Sequence, residues 1–259
     1  MHKANMLILA SLVTGEAFAT SIFDWQSNEI HVQYADQKQP FSTPTQYHAT
    51  TVTTFQHADQ WQYGDNFLFI DYVNREDLDN DYYGELYVRL SAGKTLNFQP
   101  VGPVKDIGLV LGVNAGYHTD VLKYLPGINL YWDIPGFVFF NTMFTAYIDD
   151  SGGLASGGVP SQSDSYMIDI AFGRPFTIGN QRFSIEGHIE YIGGRRNELG
   201  KPVAGHILAQ PQFRWDAGHA LFNEANRFFL GIEYQFWSHK LGDAKTRESI
   251  IQLLAVYRF

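Results

Sequence analysis

The residues that could do chemistry lie at alternate positions. Glu85, Tyr87 and Arg89 are spaced by two, and so are Phe69 and Asp71, which places each set on one face of an extended strand. A carboxylate, a phenol and a guanidinium beside aromatic rings hold a flat polar molecule by stacking and hydrogen bonds; they do not break its bonds. Tyr131, Phe139 and Trp237 fall on the corresponding parity of other segments and add rings. Glu186, Arg214 and Glu233 add charge there. Phe67, Tyr147, Asn114, Asn129, Asp169, Gln210, Gln212 and Gln235 share that parity. The charges have a second use, since Glu186 and Glu233 paired with Arg89 and Arg214 would brace opposite walls. Phe139 would equally serve as interior filling.

Catalytic and metal-binding patterns are missing. No G-x-S-x-G, Walker loop or H-E-x-x-H occurs. Ser184 and His188 share a parity but stand about 13 Å apart along a strand, too far to bond. Asp77-x-Asp79-x-Asp81 imitates the start of a calcium loop, yet Tyr82 and Val88 occupy the positions that require Gly and Glu. The nine histidines never occur at metal-ligand spacing; His31, His188 and His206 read as polar lining. With no cysteine there is no disulfide or thiolate site. The expectation is a protein that is not an enzyme, with no cofactor and no metal.

The elements carrying these residues alternate along the whole chain. In the last segment, Ile251, Leu253, Ala255, Tyr257 and Phe259 form one face and Ile250, Gln252, Leu254, Val256 and Arg258 the other. The segment before it opposes Phe228, Leu230, Ile232, Tyr234 and Phe236 to Arg227, Glu233, Gln235 and Trp237. Segment 206–215 sets Ile207, Ala209, Phe213 and Trp215 against His206, Gln210, Gln212 and Arg214; segment 182–191 behaves alike. Further segments are expected at 25–34, 48–57, 65–73, 82–91, 107–117, 127–134, 137–148 and 165–174. About twelve strands of bilayer-crossing length follow. Aromatics at the ends of the apolar parity (Tyr34, Tyr72, Trp132, Tyr166, Tyr191, Trp215, Tyr257) match interfacial girdles. The fold class predicted is all-β: a transmembrane antiparallel up-and-down β-barrel with a narrow lumen.

Composition agrees. Charged residues make up 17% of the 259 residues and aromatics 15%, so general disorder is excluded. The net charge of −9, without a basic stripe, argues against nucleic acid as a partner. His2-Lys3, the apolar run Met6 to Val13 and Ala17-Phe18-Ala19 predict a signal peptide over 1–19, leaving one barrel domain over 20–259 in the bacterial outer membrane. Periplasmic links are expected near 58–64, 92–106, 135–136, 175–180 and 216–226. Outer loops are expected near 35–47, 74–81, 118–125, 149–164, 193–203 and 239–246, with Asp149 to Gly158 flexible by composition.

Several stretches resemble one family. Phe23-Asp24-Trp25-Gln26-Ser27-Asn28, Glu85-Leu86-Tyr87-Val88-Arg89-Leu90-Ser91, Gly102-Pro103-Val104-Lys105, Gly205-His206-Ile207-Leu208-Ala209 and the closing Tyr257-Arg258-Phe259 are similar to the Tsx-like nucleoside channels, which include vibrio-type phage-receptor porins. The matches spread over nearly the whole mature chain. The resemblance implies a monomeric twelve-stranded barrel, set in outer-membrane lipid, that passes nucleosides through a narrow lumen, with outer loops used by phage. Departures concentrate in those loops, where ligand range and phage choice would be decided. An alternative from another class is an outer-loop receptor or adhesin with an incidental small-solute pore.

Overall fold

The structure, a computed structural model, describes residues 22–99 and 102–259; the expected signal peptide lies outside them. The strands are β1 (Phe23–Gln39), β2 (Gln46–Trp61), β3 (Gly64–Arg75), β4 (Asp81–Ser91), β5 (Val104–Gly116), β6 (Val121–Trp132), β7 (Phe139–Asp149), β8 (Ser165–Ile178) and β9 (Gln181–Ile192). β10 runs in two pieces, His206–Ala209 and Gln212–Asp216, followed by β11 (Phe228–Ser238) and β12 (Glu248–Arg258). Both pieces of β10 pair with β9 on one side and β11 on the other, so they are one strand interrupted at Gln210-Pro211. Each strand is antiparallel to its sequence neighbour. The ring closes where Glu29↔Arg258 through Tyr34↔Leu253 join β1 to β12. The result is a closed twelve-stranded barrel with no free edge.

Its inside and outside are inverted relative to a water-soluble barrel. Outward side chains such as Leu109, Leu111 and Leu253 are 52%, 54% and 65% exposed, while inward Glu29 and Glu233 are 3% and 2%. An apolar surface of this extent is stable only against an apolar solvent. Among the described residues no helix is long and apolar enough to cross a membrane; strands do the spanning. Aromatics rim the belt at both ends. Tyr166–Tyr191 and Tyr72–Tyr82 lie at the end with longer loops, and Tyr257–Phe259 and Phe183–Phe213 at the end where the chain terminates.

Several boundaries differ from the sequence expectation. β1 and β2 have 17 and 16 residues and stay paired from Gln39↔Gln46 to Phe23↔Trp61, so the loop expected at 35–47 shrinks to 40–45. β2 also stays paired with β3 to Trp61↔Gly64, which shrinks the link expected at 58–64 to a turn at 62–63. Beyond the apolar belt both faces meet water, and pairing continues without alternation. β6 starts at Val121, reducing the loop expected at 118–125 to 117–120. Pro126 lies inside it, where the β6–β7 ladder passes from Tyr124↔Ile148 to Gly127↔Thr145 and skips two rungs. Pro175 likewise lies within β8, which continues to Ile178. Neither proline ends a strand: Pro126 marks a local gap in the ladder, and Pro175 pairs with Ser184 in an unbroken one.

The glycine-rich loop is also held in place. It forms a short 3-10 turn over Leu154–Ser156, and the backbone N–H groups of Leu154 and Ser161 both donate to Glu198 Oε1, at 2.9 and 3.0 Å. Val159 N–H donates to Thr119 O at 2.9 Å, and the Ser156 hydroxyl bonds Asp120. Flexible composition is overridden by these cross-loop bonds.

Candidate functional site

Strand register places every residue singled out for binding on the lumen side. Cross-strand partners share a face, so Phe67↔Tyr87, Phe69↔Glu85, Asp71↔Tyr83, Arg89↔Asp65, Gln212↔Glu233 and Arg214↔Ser184 fix one inward set. Strands β4 to β9 contribute an apolar cluster to the lumen, where Tyr87, Val110, Leu125, Met143, Tyr147, Met167 and Ile192 pack together with Phe67. The wall from β10 through β12 to β1 is built of amides and charges. Three inward bands follow one another along the axis.

The band nearest the chain terminus is ion-paired. Glu29 accepts from Arg214 Nη1 at 3.0 Å, Arg258 Nη2 at 2.6 Å and His31 Nε2 at 2.7 Å. Arg214 also reaches Glu186 at 3.3 Å, and the Ser184 hydroxyl donates to Glu186 at 2.7 Å. Across the lumen Arg89 pairs with Asp65 at 2.6 Å, and the Tyr131 hydroxyl donates to the other oxygen of Asp65 at 2.5 Å. Arg89 is thus separated from Glu85 and Tyr87, its expected companions. Arg214 and Arg89 brace their own walls, and the anticipated Glu233 pairing with either does not form.

The middle band holds carboxylates without a Lys or Arg among them. Glu85 accepts from the Tyr83 and Tyr87 hydroxyls at 2.6 and 2.8 Å and from Asn114 Nδ2 at 2.9 Å. Asp71 accepts from the Thr54 hydroxyl at 2.6 Å. Glu233 is cradled by glutamine amides: Gln33 at 3.1 Å, Gln210 at 3.1 Å, Gln212 at 2.7 Å and Gln252 at 2.8 Å. Asp169 and Glu190 face them from β8 and β9, with His188 between. Gly187 makes that corner of the lumen possible. Its φ of +145° and missing Cβ admit the Gln210–Pro211 backbone, where a Cβ would overlap the Gln210 carbonyl oxygen.

The third band closes the end with longer loops. Lys123 pairs with Asp149 at 2.7 Å and Lys240 with Glu248 at 2.7 Å. The Arg195 guanidinium lies 5.3 Å from the Tyr147 ring centroid. Burial pushes the Lys240 ammonium below its ordinary value, and Glu248 works against that shift. Trp237, beside the His206 ring at 5.8 Å, belongs to this band and sits two rungs from Glu233.

Three rings lie flat on glycines. A Cβ at Gly112 would strike the Tyr87 ring, one at Gly108 the Tyr131 ring and one at Gly173 the Phe139 ring. Their availability differs. Tyr87, 5% exposed, is covered by the apolar cluster and has almost no free face, whereas Phe139 is 41% exposed. Phe69 and Tyr131 are half-buried. Sequence reading missed Glu29, Asp65, Gln33 and Glu190 as organisers of the network. Their inward parity was visible, but their partners stand on strands far away in the chain.

No family model and no curated protein matches this chain. Solved structures give weak likenesses. The KdgM porin aligns with a TM-score of 0.49 at 9% identity over 89% of this chain and 99% of its own. The NanC porin aligns at 0.49 and 10% identity, covering 89% and 97%. OccK11 (OpdR) of Pseudomonas aeruginosa aligns at 0.34 and 8%, covering 90% and 95%. Values of this size assign nothing further, and the twelve-strand closure rests on the strand register itself.

Proposed function

We propose that this chain is a bacterial outer-membrane channel through which nucleosides diffuse passively and selectively. The observation that carries this reading is the mixed lining of the lumen: rings laid on glycines stand beside amides and carboxylates. A nucleoside has a flat base and a hydroxyl-bearing sugar, and matches both kinds of group without needing charge. Phe69, Phe139 and Tyr131 supply stacking; Asp71, Glu85 and Glu186 accept sugar hydroxyls; Arg89, Arg214, Glu233, Tyr87 and Trp237 hold the walls between them. Many weak contacts in series let the solute leave as readily as it enters. The lipid-facing belt and the inverted polarity support the membrane setting, and residues 1–19 supply the export signal that setting requires. In this reading the chain acts as a monomer, its closed sheet offering no free strand edge for pairing with a second copy. The outer loops serve in addition as the surface phage would meet.

Single-channel recording in planar bilayers tests this. Adenosine or thymidine at micromolar to millimolar concentration should interrupt the ion current in a concentration-dependent way. Block by glucose or phosphate without block by nucleosides would overturn the reading.

A further inference from the structure

The middle band has three side chains that converge more closely than the rest. Asp169, His188 and Glu190 each bring one ligand atom to within 4.8 Å of the others. Register explains the convergence: Asp169 on β8 is directly opposite Glu190 on β9, and His188 precedes Glu190 by two positions on the same face. Acidic convergence alone would mean little.

Two independent observations point to a cation there. Glu190 is 8% exposed, and among the described residues no hydrogen bond or direct ion pair reaches its carboxylate, on which the charges of His188 and Arg195 act only through space. A carboxylate buried to that degree is costly without a positive partner. The second observation concerns His188. Its Nδ1 lies 2.9 Å from Asp169 Oδ2 and its Nε2 lies 3.2 Å from Gln210 Oε1. Gln210 is oriented by its own Nε2, which donates to Glu233 and Gln235. Both imidazole nitrogens therefore face oxygen acceptors. A neutral ring has one N–H; once Nε2–H serves Gln210, the Nδ1 lone pair points at a carboxylate oxygen. A positive species belongs between them, either a second proton or a metal ion. Arg214 and Arg258 are already held by Glu29 and Lys123 by Asp149. Arg195, whose charge acts on Glu190, engages Gln162, the Gly193 carbonyl and the Tyr147 ring with its guanidinium, so none of them bonds to the cluster.

We propose that Asp169, His188 and Glu190 form a divalent transition-metal site in mid-lumen. Two carboxylates and one imidazole suit Zn²⁺, Mn²⁺ or Fe²⁺, with lumen water completing the coordination shell. The Nε2–H bond to Gln210 fixes the tautomer that presents Nδ1, the usual role of a supporting acceptor behind a histidine ligand. Metal binding at Nδ1 releases any proton that Nδ1 shares with Asp169 to solvent. The site lies on the solute path and stands whether or not that solute is a nucleoside.

The test is metal titration of the full chain refolded in detergent, with Zn²⁺, Co²⁺ and Ca²⁺ as probes. Isothermal titration should show saturable uptake of one Zn²⁺ per barrel, and Ca²⁺ should bind at least tenfold more weakly because an imidazole favours the transition metal. Co²⁺ should give visible bands whose position shifts in His188→Gln. Glu190→Gln should weaken Zn²⁺ by roughly tenfold or more, with folding checked by heat-modifiable gel mobility. If Glu190→Gln does not fold, Asp169→Asn and the wild-type metal series decide. Absence of saturable Zn²⁺ uptake below about 1 mM, equal binding of Ca²⁺, or unchanged affinity in the folded variants would overturn the site.

Discussion

Single side chains in this barrel are tuned by how many donors converge on them. Glu29 is the acceptor for two guanidinium groups and an imidazole, while Glu233 is surrounded by amides only. The same principle operates in the outer loops at Asp243. Burial alone would raise its carboxyl, but the Thr246 hydroxyl at 2.6 Å, Phe41 N–H at 2.8 Å and Lys245 N–H at 3.1 Å hold it below the ordinary aspartate value. The folded state thus favours the ionised form. Its stabilising contribution is complete above the unfolded value, near 4, and is lost as pH falls through the lower folded value. The Phe41 bond ties the β1–β2 loop to the β11–β12 loop, so acid should loosen that latch. Hydrogen exchange at Phe41, corrected for intrinsic rates, should lose about fivefold protection below roughly pH 4, the worth of one hydrogen bond. Asp243→Ala should show the loss at every pH; unchanged exchange in that variant would remove Asp243 from the latch.

At the scale of strands and loops, alternation reads correctly wherever lipid and lumen oppose each other. Residues 182–191, 206–215 and 249–259 show the outward and inward sets that the register confirms. The pattern fails where that opposition ends. β1 and β2 project past the belt as a polar hairpin, and Pro126 and Pro175 lie inside strands, the first at a gap in its ladder and the second in an unbroken one. Lumen partners were the least legible part, because the bond from Arg214 to Glu29 joins residues 185 apart and depends on barrel closure. Loop shape was also hidden: Glu198, from the β9–β10 connection, organises the loop between β7 and β8 through Leu154 and Ser161. A held loop offers a fixed surface, as recognition needs. Replacing residues 150–163 by a short Gly-Ser link should abolish adsorption of any phage that uses this chain, measured by plaque formation, while nucleoside block persists. Loss of nucleoside block with adsorption intact would show that the loop belongs to the solute path and not to a receptor surface.

The whole barrel sorts its charges along its axis. Arg89, Arg214 and Arg258 lie at one end and Lys123, Lys240 and Arg195 at the other, each beside a carboxylate or a ring. Between them Asp71, Glu85, Asp169, Glu190 and Glu233 share the middle with His188 alone, near enough for their charges to act on one another. Reading the inward parity without height gives a mixture of both signs; the structure resolves that mixture into paired ends and an acidic waist. Outside, Glu76, Asp77 and Asp79 on the β3–β4 loop cluster with Asp81, the first residue of β4, at the mouth. An acidic mouth acts on mobile ions over about 8 Å at physiological ionic strength, whereas the waist acts within the low-dielectric wall at closer range. Anions therefore meet repulsion twice along the path, and neutral solutes meet none. Under a salt gradient the reversal potential should show cation selectivity, stronger at low salt than at high salt. Nucleosides should permeate better than their monophosphates, measured by liposome swelling, and Glu233→Gln should reduce the cation preference without inverting it. Anion selectivity in the wild type, or equal permeation by nucleotides, would mean that the carboxylates of the waist are neutralised in the working channel.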